Sequence, residues 1–208
     1  NRGERTVLIY RGASADFQTK DFHWSKMKTK WLYVSSLAGK LPILRSIWQH
    51  AERTGAKIAW DPGAGELALG REKLLPFLKQ TAILHINKEE AARLMGLDYE
   101  QDEISFDHVR KMVGGVTIVT GGTGGALAGT ETSSWSSDTH PIKVVDTTGA
   151  GDAFTSGFTA SYIRTRGDIS RSLQFATANA ESVVRYIGAK AGLLRTRKVT
   201  NPVAVKRR

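Results

Sequence analysis

The nonapeptide Asp146-Thr147-Thr148-Gly149-Ala150-Gly151-Asp152-Ala153-Phe154 carries two acids around a pair of glycines separated by one small residue. It follows the β-branched run Ile142 to Val145 and opens a helix-like run from Ala153 to about Arg164, so it reads as strand, glycine turn and helix N-terminus. Glycines let the backbone turn tightly enough for several N–H groups, unpaired in the first helical turn, to point at one spot. The positive end of the helix dipole adds to those amides, and a phosphate is the natural guest. Asp152 admits two readings. It is a favourable partner for the helix dipole, or it stands beside a bound phosphoryl group to take the proton of an attacking hydroxyl.

Two other stretches place polar groups at strand ends. Asn87-Lys88-Glu89-Glu90 joins the apolar run Ala82 to Ile86 to a helix reaching about Leu94, where Asn87 is a good N-cap and the acids suit the first turn. Val116 to Thr120 reads as a strand ending in Gly121-Gly122-Thr123-Gly124-Gly125, a hairpin turn into Ala126-Leu127-Ala128 whose amides could also meet a phosphate.

Taken together, these stretches resemble the ribokinase-like sugar kinases, the PfkB family. Asp146 to Asp152 looks like the family's C-terminal signature over seven consecutive residues. The resemblance implies that Gly149, Ala150 and Gly151 form an anion hole for the transferred phosphate and that Asp152 is the general base. Asn87-x-x-Glu90 matches the family's Asn-x-x-Glu motif, which implies water-mediated contacts to Mg²⁺ and the nucleotide phosphates, as suits an ion that keeps its water shell. It also implies nucleotide contacts at Thr120, Gly122, Thr148, Asn179, Gly188 and Ala189. Some relatives bind K⁺ through groups equivalent to Asp146 and Thr148; Asp146 as a turn cap is the alternative. The implied activity is transfer of the γ-phosphoryl of ATP to a sugar hydroxyl. A nucleoside acceptor and a catalytically silent nucleotide-binding module are alternatives, and a homodimer is left open.

The elements must hold these groups in one place. Trp31 to Ser35, Lys57 to Trp60, Ala82 to Ile86 and Val116 to Thr120 alternate with helix-like runs at Pro42–Thr54, Asn87–Leu94 and Phe106–Val113. Such alternation predicts βαβ units, and the expected fold is a three-layer α/β/α sandwich with a mostly parallel sheet. A further helix is expected from Ser170 to Tyr186, with polar Asn179 read either as packing or as a nucleotide contact. Thr6 to Tyr10 reads as an early strand before a turn at Arg11 to Ser14, and Glu131 to Pro141, with four serines, as an exposed loop. In the family a strand like Thr6–Tyr10 comes roughly midway through the fold. The expectation is therefore a single kinase domain over 1–208 without the family's N-terminal strands, lid and Gly-Gly/Asn substrate motif.

Composition narrows the classes. The 208 residues include no cysteine, which excludes a disulfide scaffold and thiolate metal sites. No run approaches a membrane span and no signal segment opens the chain, so the expected location is cytoplasmic, without a membrane partner. The excess of 30 Lys+Arg over 20 Asp+Glu suits an anionic partner, but the cations are scattered and predict a solvated basic surface more than specific nucleic-acid binding. Gly63-Ala64-Gly65-Glu66-Leu67-Ala68 fits a dinucleotide pattern, yet Pro62 predicts a brief helix there and no ribose-binding acid follows the next strand. Gly65 to Gly70 has phosphate-loop spacing, but Arg71-Glu72 stands where Lys-Ser/Thr is needed. The five histidines lack metal-ligand spacing, and there is no Gly-x-Ser-x-Gly turn.

Overall fold

The computed structural model describes residues 12–97, 102–195 and 199–208, so the expected strand Thr6–Tyr10 lies outside the described residues. Four strands, β1 (Trp31–Val34), β2 (Lys57–Trp60), β3 (Ile83–Asn87) and β4 (Val116–Thr120), pair in parallel and in chain order. The connections carry α1 (Leu41–Thr54), the short α2 (Ala64–Leu67), α3 (Arg71–Lys79), α4 (Lys88–Met95) and α5 (Asp102–Arg110). Parallel crossovers are right-handed, and a sheet that grows in one direction puts all of its crossover helices on one face. Accordingly Ile58, Trp60, Leu84, Ile86 and Val119 share one core with side chains from all five helices.

The opposite face, with Ala59, Ile83, Val116 and Ile118, would be bare without the last two helices. It is covered by α6 (Ala150–Arg164) and α7 (Ile169–Val183) through Phe154, Phe158, Leu173 and Ala176. Successive strand residues point to opposite faces, so the parallel strands read as near-continuous apolar runs. The result is the three-layer α/β/α sandwich that the sequence predicts.

Beyond β4 the sheet turns antiparallel. β5 (Ala126–Gly129), β6 (Ser134–Ser137) and β7 (Val205–Arg207) extend it, among the described residues, to seven strands in sequential order. β6 corrects the expectation of an exposed loop over Glu131 to Pro141. Trp135 packs on the α6–α7 core and lies under the Arg207 guanidinium at 5.7 Å, so the serine-rich run is a strand because it has partners on both edges.

The expected strand at Ile142–Val145 is also corrected, since that segment joins no ladder. Its backbone bonds go elsewhere. The N–H groups of Val145 and Asp146 both donate to Val184 O, one of the carbonyls left open at the end of α7. The preceding His140 gives its N–H and Nδ1 to the Glu181 carboxylate at 2.7 and 2.9 Å. The approach to the glycine turn is thus strapped to α7 and not to the sheet. Among the described residues no helix is long and apolar enough to cross a membrane.

Candidate active site

The carboxyl ends of the parallel strands and the N-terminus of α6 meet along one edge of the sheet, where open α/β sheets form their crevices. Gly149 is the N-cap of α6 with φ 79°, a left-handed conformation that β-carbon residues pay for in strain. A β-carbon there would also stand 2.5 Å from Ala189 O. The turn is therefore seated on the Gly188–Ala189 segment. Asp146 completes the brace: Oδ1 accepts from Thr148 N and Oδ2 from Gly188 N, both at 2.9 Å. This is the turn-cap geometry that the sequence allowed for Asp146.

At the mouth, Gly151 and Asp152 are exposed, and nothing lies within 4 Å of a β-carbon built on Gly151. The Ala150 N–H bonds Thr147 O at 3.2 Å, long enough for a charged acceptor to compete with it. Asp152 stands in the first turn of α6, at the positive end of the helix dipole.

Asn87 and Glu90 form a reciprocal capping box. Glu90 N donates to Asn87 Oδ1 and Asn87 N to Glu90 Oε2, both at 2.8 Å. Thr120 is the register partner of Asn87 across the β3–β4 pair, so the two motifs are adjacent at the strand ends. Gly122, with φ 58°, opens the exposed turn Gly122–Gly124 beside them.

Asn179 lies beneath this edge, behind the first turn of α6. It is buried, its amide donates to Ala153 O at 2.8 Å and its oxygen accepts from Leu194 N at 2.9 Å. These bonds hold the first turn of α6 to α7 and the following loop. They satisfy the packing reading of Asn179.

Asp61, the residue after β2, stands with these acids although no motif in the sequence singles it out. Its carboxyl is pushed up to about 6 by burial, with the charges of Glu90 and Asp152 adding, against the opposing bond from Tyr33. The Tyr33 hydroxyl is placed to donate to Thr155 Oγ1 at 2.8 Å, with Asp61 Oδ2 at 3.2 Å. Thr155 Oγ1 also lies 3.5 Å from Asp61 Oδ2, so these contacts tie α6 to β1 and to the residue that follows β2. Burial also raises Glu90, and nearby Glu89 adds to it. The available signal was a carboxylate at the carboxyl end of a parallel strand.

Three carboxylates that repel one another across a partly desolvated edge form a setting that a cation relieves. Among the described residues no group of three or more His, Cys, Asp or Glu could hold a metal directly. A Mg²⁺ ion at this edge would meet Asn87 and Glu90 through its water shell, the manner in which this ion usually binds.

The fold and this edge define a class, an α/β protein with an open helix N-terminus flanked by acids. Residues 1–197 match the family model of the pfkB family carbohydrate kinases, and the chain belongs to that family. It is 33% identical over 146 residues to an ATP-dependent ribose-1-phosphate kinase of Halopiger xanaduensis, covering 70% of this chain and 46% of the relative. It is 29% identical over 138 residues to a nucleoside kinase of Methanocaldococcus jannaschii, covering 65% of this chain and 43% of the relative. The chain thus spans about half the length of the curated relatives it matches. The fold is shared with a putative ribokinase II of E. coli in complex with ATP and Mg²⁺, at TM-score 0.77 and 21% identity, covering 92% of this chain and 65% of that one.

Proposed function

We propose that the protein transfers the γ-phosphoryl group of Mg-ATP to the hydroxyl of a sugar, with Asp152 as general base. The observation that carries this is the braced left-handed Gly149 turn, which opens α6 toward solvent with Asp152 in its first turn. The oxygen of the acceptor bonds phosphorus, the bridge between the β- and γ-phosphates breaks, ADP leaves, and the acceptor's proton passes to Asp152. The amides of Gly149, Ala150 and Gly151 hold the phosphoryl oxygens as charge builds on them, a role worth about 3 kcal/mol per donor in comparable holes. Asn87 and Glu90 orient the water shell of Mg²⁺, whose contribution when bound is to offset phosphate charge. Thr120, Gly122 and Thr148 face the nucleotide, and Gly188 and Ala189 fix the turn. A K⁺ ion beside Asp146 and Thr148 would bias the same turn, and replacing KCl by choline chloride in the assay tests it.

The intact mass of the natural protein comes first, then ADP release with Mg-ATP against a panel of sugars, sugar phosphates and nucleosides. Release on a sugar supports the proposal, release on nucleosides alone shifts the acceptor class, and nucleotide binding without release on any acceptor overturns catalysis. Asp152→Asn is expected to lower turnover by roughly 10²- to 10⁴-fold with nucleotide binding retained. Full activity in that variant would remove Asp152 from the mechanism.

A further inference from the structure

Lys88 is the first residue of α4, a position where a cation opposes the helix dipole, while its neighbours Glu89 and Glu90 are the acids that a first turn favours. Its side chain does not run out into solvent. A β-carbon built on Gly121 would overlap Lys88 Cε and stand 3.1 Å from Nζ, and one built on Gly124 would stand 3.7 Å from Nζ. The lysine stem is therefore laid across the start of the Gly121–Gly125 turn, in space that exists only because position 121 has no side chain. Gly121 N donates to Gly125 O at 2.8 Å and Gly124 N to Gly121 O at 3.0 Å, so the turn is closed on itself and presents a fixed surface to the ammonium. β3 and β4 run side by side to this point, with Asn87 opposite Thr120, so the ammonium is carried from the magnesium-side motif to the Thr120–Gly122 motif.

We propose that Lys88 is a nucleotide-binding residue whose ammonium, aimed by the absence of a side chain at Gly121, takes phosphate oxygens of the bound nucleoside triphosphate. This rests on the kinase reading above and deepens it. The bland alternative is that the methylene stem merely packs against the turn. Two features favour the ligand role: the unfavourable dipole position, which packing alone does not require of a charged residue, and the seat of Nζ beside the glycines of the Gly121–Gly125 turn at the strand ends, where a polyphosphate needs positive charge to settle.

Two substitutions separate charge from packing. Lys88→Met keeps a long stem and removes the ammonium. Gly121→Ala keeps the ammonium and displaces it; the turn tolerates the methyl because Gly121 has φ −122° and the obstructing atom is the far end of a flexible chain. Binding of a non-hydrolysable ATP analogue with Mg²⁺ is measured by calorimetry on the intact natural protein, alongside Tm. Lys88→Met is expected to weaken the nucleotide by roughly 10- to 100-fold with Tm nearly unchanged, the scale of a lost charged hydrogen bond. Gly121→Ala should weaken it in the same direction, and the double variant should be no weaker than Lys88→Met alone. A Lys88→Met protein that binds like the parent, or loses Tm while keeping affinity, overturns the assignment of Lys88 and leaves the kinase reading standing. A parent protein that binds no nucleotide overturns both.

Discussion

Gly149 and Gly151 are two residues apart yet do different work, and substitution separates them. Gly149→Ala meets both the left-handed backbone and Ala189, and an expected loss of about 2 kcal/mol or more would appear as a lowered Tm. Gly151→Ala meets nothing in the protein, so Tm should hold while the new methyl stands at the mouth and lowers ADP release. Equal Tm losses in both variants would count against the open mouth. Asp61 supplies a second test. Its folded carboxyl titrates near 6 against an ordinary value of 3.8, so the folded chain holds this proton more tightly than the unfolded chain. Ionised Asp61 therefore costs stability above about pH 6, and the cost fades as pH falls toward 4. Asp61→Asn should stabilise the protein by about 2 kcal/mol near pH 8 and by little near pH 4, read by calorimetry across pH. A pH-independent difference would reject the burial argument. The seven residues from Asp146 to Asp152 were legible because their meaning is contiguous in the chain. Asp61 and Lys88 were not, because each acts through partners brought in from other strands and helices.

At the scale of elements, the decoy Gly63 to Ala68 now has a structural account. Glu66 is fully buried and accepts from Ser36 Oγ, Leu37 N, Gly39 N and Gly63 N at 2.7 to 2.9 Å. Glu66 thereby clamps the loop after β1 to the turn after β2. A β-carbon on Gly65 would lie 2.7 Å from Ala38 C, and one on Gly63 2.5 Å from Ser36 Oγ, so both glycines serve the close approach of two loops. Glu66→Ala would strand buried donors and should cost on the order of 3 kcal/mol, measured by urea unfolding; a loss under about 1 kcal/mol would mean the loops hold without the clamp. The βαβ half was legible from its apolar runs. Serine-rich β6 was hidden because its strand character comes from pairing on both edges, and β-branched Ile142–Val145 misled because an extended segment bound to α7 has the same composition as a strand.

The whole molecule divides its two cores by history of the chain. Everything from α1 to α5 builds one face, and α6 with α7 closes the other, so the Gly149 turn is mounted on the helical layer that arrives last. The layered architecture followed from the alternation of elements. The antiparallel half did not, since β7 draws its three residues from a basic stretch that reads as solvated surface; only the half-buried Val205 packs inward, while Lys206 and Arg207 remain exposed.

The strictly sequential strand order has a consequence for biosynthesis. From β1 to β6 each new strand leaving the ribosome docks on the strand made just before it, so the described sheet can lengthen as the chain is synthesised, and β7 then waits until α6 and α7 have been made. Throughout that growth one raw edge stays open to other nascent chains, and the strand that finally occupies it carries two exposed cations, a charge pattern that discourages edge-to-edge pairing.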